Sequence, residues 1–190
     1  MSASFANIKR LRVDGASLPT DVPTPDEVAR AVRQVLAASP LCACSTVTGG
    51  AVAHVNIGHF ACSDDLRLYL VAHPGSQHSI NVRANGSMAV AVYTSAQPWG
   101  HHGLGLQLFG RCEEVATSED MEAREIYAQR YPAYRNWAKT LRHGDLAEEY
   151  RFYRFTPDRV KVMHEEVFGD AVLVVADIVR SETPALSRVH

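Results

Sequence analysis

Between Leu41 and Val115 the chain repeats one pattern: a short run of small, β-branched and aliphatic residues, then a break. The runs are Leu41 to Thr48, Ala51 to Ala61, Leu66 to Ala72, Ser87 to Thr94 and Leu104 to Val115. Alternation over such lengths, bounded by Gly, Pro, Ser or Asp, is the signature of strands. Gly49-Gly50 supplies a hairpin turn between the first two. Glu149 to Phe155 and Arg159 to His164 are read as two closing strands, separated by Thr156-Pro157-Asp158. About six antiparallel strands at this spacing predict a mainly β (α+β) fold, a split β-barrel with peripheral helices.

Two helical regions interrupt the strands. Thr24-Pro25-Asp26-Glu27 opens the first, with Thr24 as cap, Pro25 at the first helical position and Glu27 closing a capping box. Val28, Ala31, Val32, Val35 and Leu36 then share one face, and Pro40 stops the helix. The second region is a helical insertion over about 118–143, capped by Thr117 or Ser118 and broken at Tyr131-Pro132. Trp137 and Leu141, four apart, are expected to pack inward. The barrel domain therefore spans 23–169. Residues 1–22 read as a flexible arm with a short strand near Ile8 to Val13. Residues 170–190 read as a tail, whose apolar stretch Ala171 to Val179 is an edge strand or a dimer contact and whose end frays from Ser181 onward.

Composition narrows the function classes. A formal net charge of -2 argues against a general nucleic-acid binder. No apolar run reaches membrane-spanning length and no signal-peptide core opens the chain, so a soluble cytoplasmic protein is expected. Cys42, Cys44, Cys62 and Cys112 form neither a CxxC nor a zinc spacing, which predicts reduced thiols and no metal site. Nine histidines stand out, because neutral imidazole suits metal, haem or proton transfer.

The stretch with the most chemistry is His73-Pro74-Gly75-Ser76-Gln77-His78-Ser79-Ile80-Asn81. A strand ends before it and a short helix begins within it, so free N–H groups and the positive end of the helix dipole collect near Ser76. Such a corner can hold a phosphate. It also reads as a plain turn with a serine cap. In Ala51 to Ala61 one face carries Ala53, Val55 and Ile57; the other carries Val52, His54, Asn56, Gly58 and Phe60. The polar face is either solvent-facing or a pocket wall. The loop Ser95 to Gly103 holds Trp99, His101 and His102, and binding residues often sit on such loops.

These pieces, in order, resemble the FMN-binding split-barrel family that includes the pyridoxamine 5'-phosphate oxidase-like proteins. The carriers are Ala43-Cys44-Ser45-Thr46-Val47, His54-Val55-Asn56-Ile57-Gly58-His59-Phe60, Leu68-Tyr69-Leu70-Val71, the run from Ser76 to Asn85, Leu106-Gln107-Leu108-Phe109-Gly110, and Arg154-Phe155-Thr156-Pro157-Asp158-Arg159-Val160. In the family a Ser-Arg-Lys run binds the flavin phosphate; here it is matched by Ser76-Gln77-His78. The hydroxyl is kept, but both permanent charges are gone. Arg83 is a candidate substitute, or a solvated helix residue. The resemblance implies cofactor contacts from His54, Asn56, Val71, Ser76, Gln77, His78, Trp99 and Gln107, with Trp99 covering the ring from a partner subunit or anchoring its own loop. It implies a homodimer with cofactor sites at the interface. The chain departs from pyridoxamine 5'-phosphate oxidase itself, since the Trp and the Arg-rich ending of that enzyme are missing after Val160.

The reading that follows is an FMN-dependent oxidoreductase acting on a small-molecule substrate, with His54, His59 and His101 as candidate acid–base groups. One alternative is a split-barrel protein that binds haem b through His101 or His164. Another is a binding module of the same fold without a cofactor.

Overall fold

The segment expected as a flexible arm carries two strands, over residues 3–12 and 17–18. The computed structural model describes residues 2–140 and 149–180. Its first strand, β1 (Ala3–Arg12), pairs antiparallel with β9 (Val172–Arg180), and the short β2 (Ser17–Leu18) folds back on β1. The alternation was hidden because it changes phase midway. Asn7, at φ 51°, sits where the register slips between Ala6 and Lys9. Ala3 and Phe5 are buried before the bulge, whereas charged residues dominate after it. Asn7 tolerates that backbone and donates from Nδ2 to Asp177 Oδ2 at 2.7 Å. The tail is likewise structural: β9 lies between β1 and β8 (Arg151–His164), so it is not an edge strand. The frayed end expected from Ser181 lies outside the described residues.

Helix α1 (Pro25–Ala38) forms as its first turn dictates. Glu27 N–H donates to Thr24 Oγ1 at 3.3 Å, and Glu27 Oε2 accepts from Thr24 N–H at 2.7 Å. Val28, Ala31, Val32, Val35 and Leu36 are all buried, the face read from their spacing. Then come β3 (Leu41–Val47), β4 (Ala53–Cys62), β5 (Leu68–Ala72), α2 (Gln77–Ala84), β6 (Ser87–Tyr93) and β7 (Leu104–Glu114).

Six strands close a barrel in the order β8-β5-β4-β3-β6-β7, with β7 pairing back onto β8. The fold is a split barrel of the expected class. One long strand makes it possible. β8 pairs with β5 over Arg151–Phe155 and with β9 over Arg159–Met163, on the same edge, while β7 runs along the other. The two closing strands expected on either side of Thr156-Pro157-Asp158 are thus one. The extra residue is taken up by a bulge, where Phe109 pairs with Arg159 but Gly110 pairs with Pro157. Proline has no N–H to give the ladder, and a bulge is where a strand tolerates it.

The insertion begins with a 3₁₀ turn, Thr117–Glu119, so neither Thr117 nor Ser118 caps a helix. It continues as α3 (Asp120–Arg130) and α4 (Pro132–Thr140). Tyr127, Tyr134 and Phe152 make a small aromatic core beneath it. Trp137 is 40% exposed at the edge of that cluster, so it is not an inward anchor. Leu141, and the expected helix end near His143, lie outside the described residues. The final helix, α5 (Glu165–Phe168), joins β8 to β9.

Candidate functional site

β4 decides where the site is. It pairs with β3 along Ala53–His59, but with β5 only through Phe60, Ala61 and Cys62. Among the described residues the other edge of its first half has no strand partner, and α2 packs near the gap. Asn81, on α2, donates from Nδ2 to Thr46 Oγ1 on β3 at 3.0 Å, and both are buried. This bond fixes α2 against the barrel mouth. Asn56, Gly58 and His59 of β4, Val71 and Ala72 of β5, His78 of α2 and Tyr153 of β8 line the slot between. Its volume is about 30 Å³, far below the roughly 300 Å³ at which ligand pockets begin.

The two faces of β4 are the reverse of a simple inside–outside assignment. Val55 and Ile57 are 63% and 64% exposed, while His54, Asn56 and Gly58 are half-buried on the barrel side. The polar face is the pocket wall, and the apolar face is outside.

At the corner before α2, the serine does not cap the helix. Ser76 Oγ instead donates to the His73 carbonyl at 2.8 Å, and lies 2.9 Å from Ser79 Oγ and 3.2 Å from His78 Nε2. The first-turn N–H groups of α2 therefore keep no side-chain acceptor among the described residues, the condition for an anion at a helix start. His73 braces the turn: Gly75 N–H donates to its Nδ1 at 3.0 Å, so its Nε2 faces Glu149 Oε2, also at 3.0 Å. The His54 and His78 rings are near-parallel, 21° apart, with centroids 6.5 Å from one another. His54 Nδ1 is buried without a hydrogen-bond partner among the described residues. Burial, and to a lesser degree the neighbouring His54, pushes the His78 imidazole below its ordinary pKa.

The remaining candidates are dispersed. Gln77 turns back along α2 and donates to Asn81 Oδ1 at 2.8 Å. Arg83 is exposed at the far end of α2, lining an open groove with Arg111. His59 is exposed, its ring edge-on to Tyr131 at 5.4 Å. Gln107 sits on the outer barrel face, level with Ala91 of β6 and Lys161 of β8. Three strand spacings, about 14 Å, and the thickness of the sheet separate it from His54. Trp99 and His101 stand on the exposed β6–β7 loop, and Trp99 is wholly solvent-facing. His164 is buried at the opposite end of β8 from Tyr153, with Nε2 3.0 Å from Gln34 Oε1 of α1. Tyr153, Ser79, Asn81 and Thr46 were missed from sequence. Tyr153 and Thr46 read as ordinary alternating strand residues, and only α2 docking brings them to the corner. Among the described residues no group of three or more His, Cys, Asp or Glu side chains is placed to hold a metal ion, and no helix is long and apolar enough to cross a membrane.

A phosphate group suits this corner, which offers the first-turn amides of α2 and the His54 and His78 imidazoles, and the Ser76 hydroxyl once it gives up its bond to the His73 carbonyl. A flavin ring does not fit inside the slot, so it would lie outside it, along the open edge of β4.

Comparison with known proteins agrees with the geometry. A protein of unknown function from Agrobacterium tumefaciens superposes with a TM-score of 0.61 at 21% identity, covering 76% of this chain and 60% of its own. This chain thus spans less than two thirds of that protein. An FAD-binding protein from Mesorhizobium loti matches at TM-score 0.53 and 18% identity, covering 78% of this chain and 93% of its own. HutZ, the haem storage protein of Vibrio cholerae, matches at TM-score 0.58 and 10% identity, covering 70% and 93%. Likeness at such identities establishes a shared fold. No curated protein matches by sequence. The family model of pyridoxamine 5'-phosphate oxidase matches residues 28–164, most of the chain and all six barrel strands, so this protein belongs to the pyridoxamine 5'-phosphate oxidase family.

Proposed function

We propose that the protein binds FMN and acts as a flavin-dependent oxidoreductase on a small-molecule substrate. The carrying observation is the corner before α2. Ser76 leaves the first-turn amides without a side-chain cap, and His54 Nδ1 is buried without a partner among the described residues. A phosphate would supply acceptors to both. The flavin would supply the two-electron chemistry. The chain's own part is to grip the phosphate through Ser76, His54 and His78, and to present Asn56 and Val71 along the gap where the ring lies.

A second copy completes the site in this reading. Gln107 and Trp99 cannot reach the corner of their own chain. The outer face that carries Gln107 has Ile57, Ala43 and Ala91 in register with it and Val55 beside them, a surface small and apolar enough to take another subunit. The haem reading has less support. His164 is committed to Gln34, and His101 is on an exposed loop away from any enclosed cavity.

A visible spectrum of the purified protein, before and after addition of FMN, tests this. Paired bands near 370 and 450 nm that survive gel filtration are expected, on the order of one flavin per chain. Ser76→Asp should release the flavin, because it sets a carboxylate against the phosphate. A Soret band in place of flavin bands would transfer the site to haem, and a protein that retains neither chromophore would be the cofactor-free module.

A further inference from the structure

The corner that would hold the phosphate contains imidazoles where a permanent cation would be expected. Gln77 is tied to Asn81, and Arg83 lies at the other end of α2. Among the described residues, the groups lining the slot with His78 are Cys44 of β3, His59 of β4, Cys112 of β7 and Tyr153 of β8, with His73 and Glu149 behind the turn. Fixed positive charge comes from Arg83, which acts on Tyr153 from the end of α2, and from Arg151, level with Ala72 of β5. The Cys112 thiol is pushed up to about 12 by burial, and burial also raises the Tyr153 phenol. Neither ionises near neutrality. Glu114, 3.5 Å from the Tyr153 hydroxyl, adds negative charge nearby.

From this arrangement we propose that the protein takes up its phosphate-bearing ligand together with a proton, held on the His54–His78 pair. The inference rests on the FMN reading above and adds the regulation of that site. With no ligand, burial and then the neighbouring His54 ring hold the His78 imidazole below its ordinary pKa. The attraction of a phosphate dianion beside the rings outweighs both effects, and a proton from solvent joins one imidazole nitrogen. That ring becomes a charged donor to phosphate oxygen, and no other bond forms or breaks. His54 Nδ1, buried and unpartnered, is positioned either to carry that proton or to accept a bond from it. Linkage then sets the sign. The bound state holds more protons than the free state, so affinity for the phosphorylated ligand falls as pH rises, by up to about tenfold per pH unit for one proton.

The test is isothermal titration of the purified apoprotein with FMN and with riboflavin from pH 6.5 to 8.5, in two buffers of different ionisation enthalpy. FMN should weaken about three- to tenfold per pH unit and take up 0.5 to 1 proton, roughly. Riboflavin, which lacks the phosphate, should show neither effect. His78→Lys should bind FMN with a flat pH profile, and His54→Gln should reduce the proton uptake. FMN binding that is independent of pH and of buffer would overturn this proposal and leave the flavin reading standing. Failure of both flavins to bind would remove the flavin reading, and this inference with it. Inorganic phosphate competing with FMN, with the same pH dependence, would show that the anion alone is recognised.

Discussion

Gly110 and Pro157 face each other across the β7–β8 bulge so closely that no side chain fits between them. A Cβ on Gly110 would lie 2.6 Å from Pro157 Cα and overlap the Thr156 carbonyl oxygen. Both obstacles are backbone atoms, and they belong to the strand that closes the barrel. Gly110→Ala should therefore cost about 3 kcal/mol or more, since overpacking here displaces a ladder. Urea denaturation measures it, and a midpoint unchanged from the parent protein would contradict the bulge.

Arg130 joins the helical insertion to the barrel. Its guanidinium lies 4.3 Å from the centre of the Phe60 ring, and Nη2 donates to the Leu36 and Ser39 carbonyls at 2.8 and 2.7 Å. It thereby satisfies the carbonyl end of α1. Arg130→Ala should destabilise by about 2–4 kcal/mol, combining lost charge-assisted bonds with lost ring contact. Arg130→Lys should recover only part, because an ammonium cannot serve both carbonyls and stack on the ring. Full recovery by lysine would mean that charge alone matters at this position.

Glu165 clasps the base of the Trp99 loop. Its carboxylate accepts from Gly103 N–H at 2.6 Å and from Ala171 N–H at 2.9 Å, and these bonds hold its pKa below the ordinary 4.5. A lowered folded pKa stabilises above the unfolded value and loses that contribution as pH falls through the folded one. Glu165→Gln should lower the melting temperature at pH 7. The gap between variant and parent should begin to narrow as pH falls below about 4.5 and vanish only below the folded pKa. A gap that stays constant with pH would show that charge at Glu165 contributes nothing.

Ile57 tests the outer face. It is 64% exposed and contributes nothing to the barrel interior, so Ile57→Asp should leave the fold of one chain intact. If a second copy covers this face, the variant should be monomeric by light scattering where the parent is dimeric, and should bind FMN more weakly through loss of Gln107 and Trp99 in trans. A parent protein that is itself monomeric at micromolar concentration would dispose of the shared site.

Local order was legible wherever one short pattern sufficed. The capping box at Thr24 and Glu27 fixes α1, and the alternating leucines of β7 point inward as their spacing requires. The corner before α2 was visible as a Pro-Gly turn running into a helix. The cofactor contacts implied by resemblance were only half gathered. His54, Asn56, Val71, Ser76 and His78 meet at one gap, whereas Gln107 lies on the outer face of β7 and Trp99 on the exposed β6–β7 loop. A residue's place along a strand says nothing of which chain's site it serves.

The amino-acid order alone set the places of strands β3 to β7, helix α1 and the corner rich in hydrogen-bond donors. Those features depend on neighbours within a few residues. Closure of the barrel decided the rest. A period of two gives a strand two faces but does not label either as inside, so only closure could turn His54 toward the slot and leave Val55 and Ile57 exposed. Likewise, only pairing with β9 could make a strand of β1, whose alternation breaks at Asn7, and only the ladder with β7 could carry β8 unbroken through Pro157.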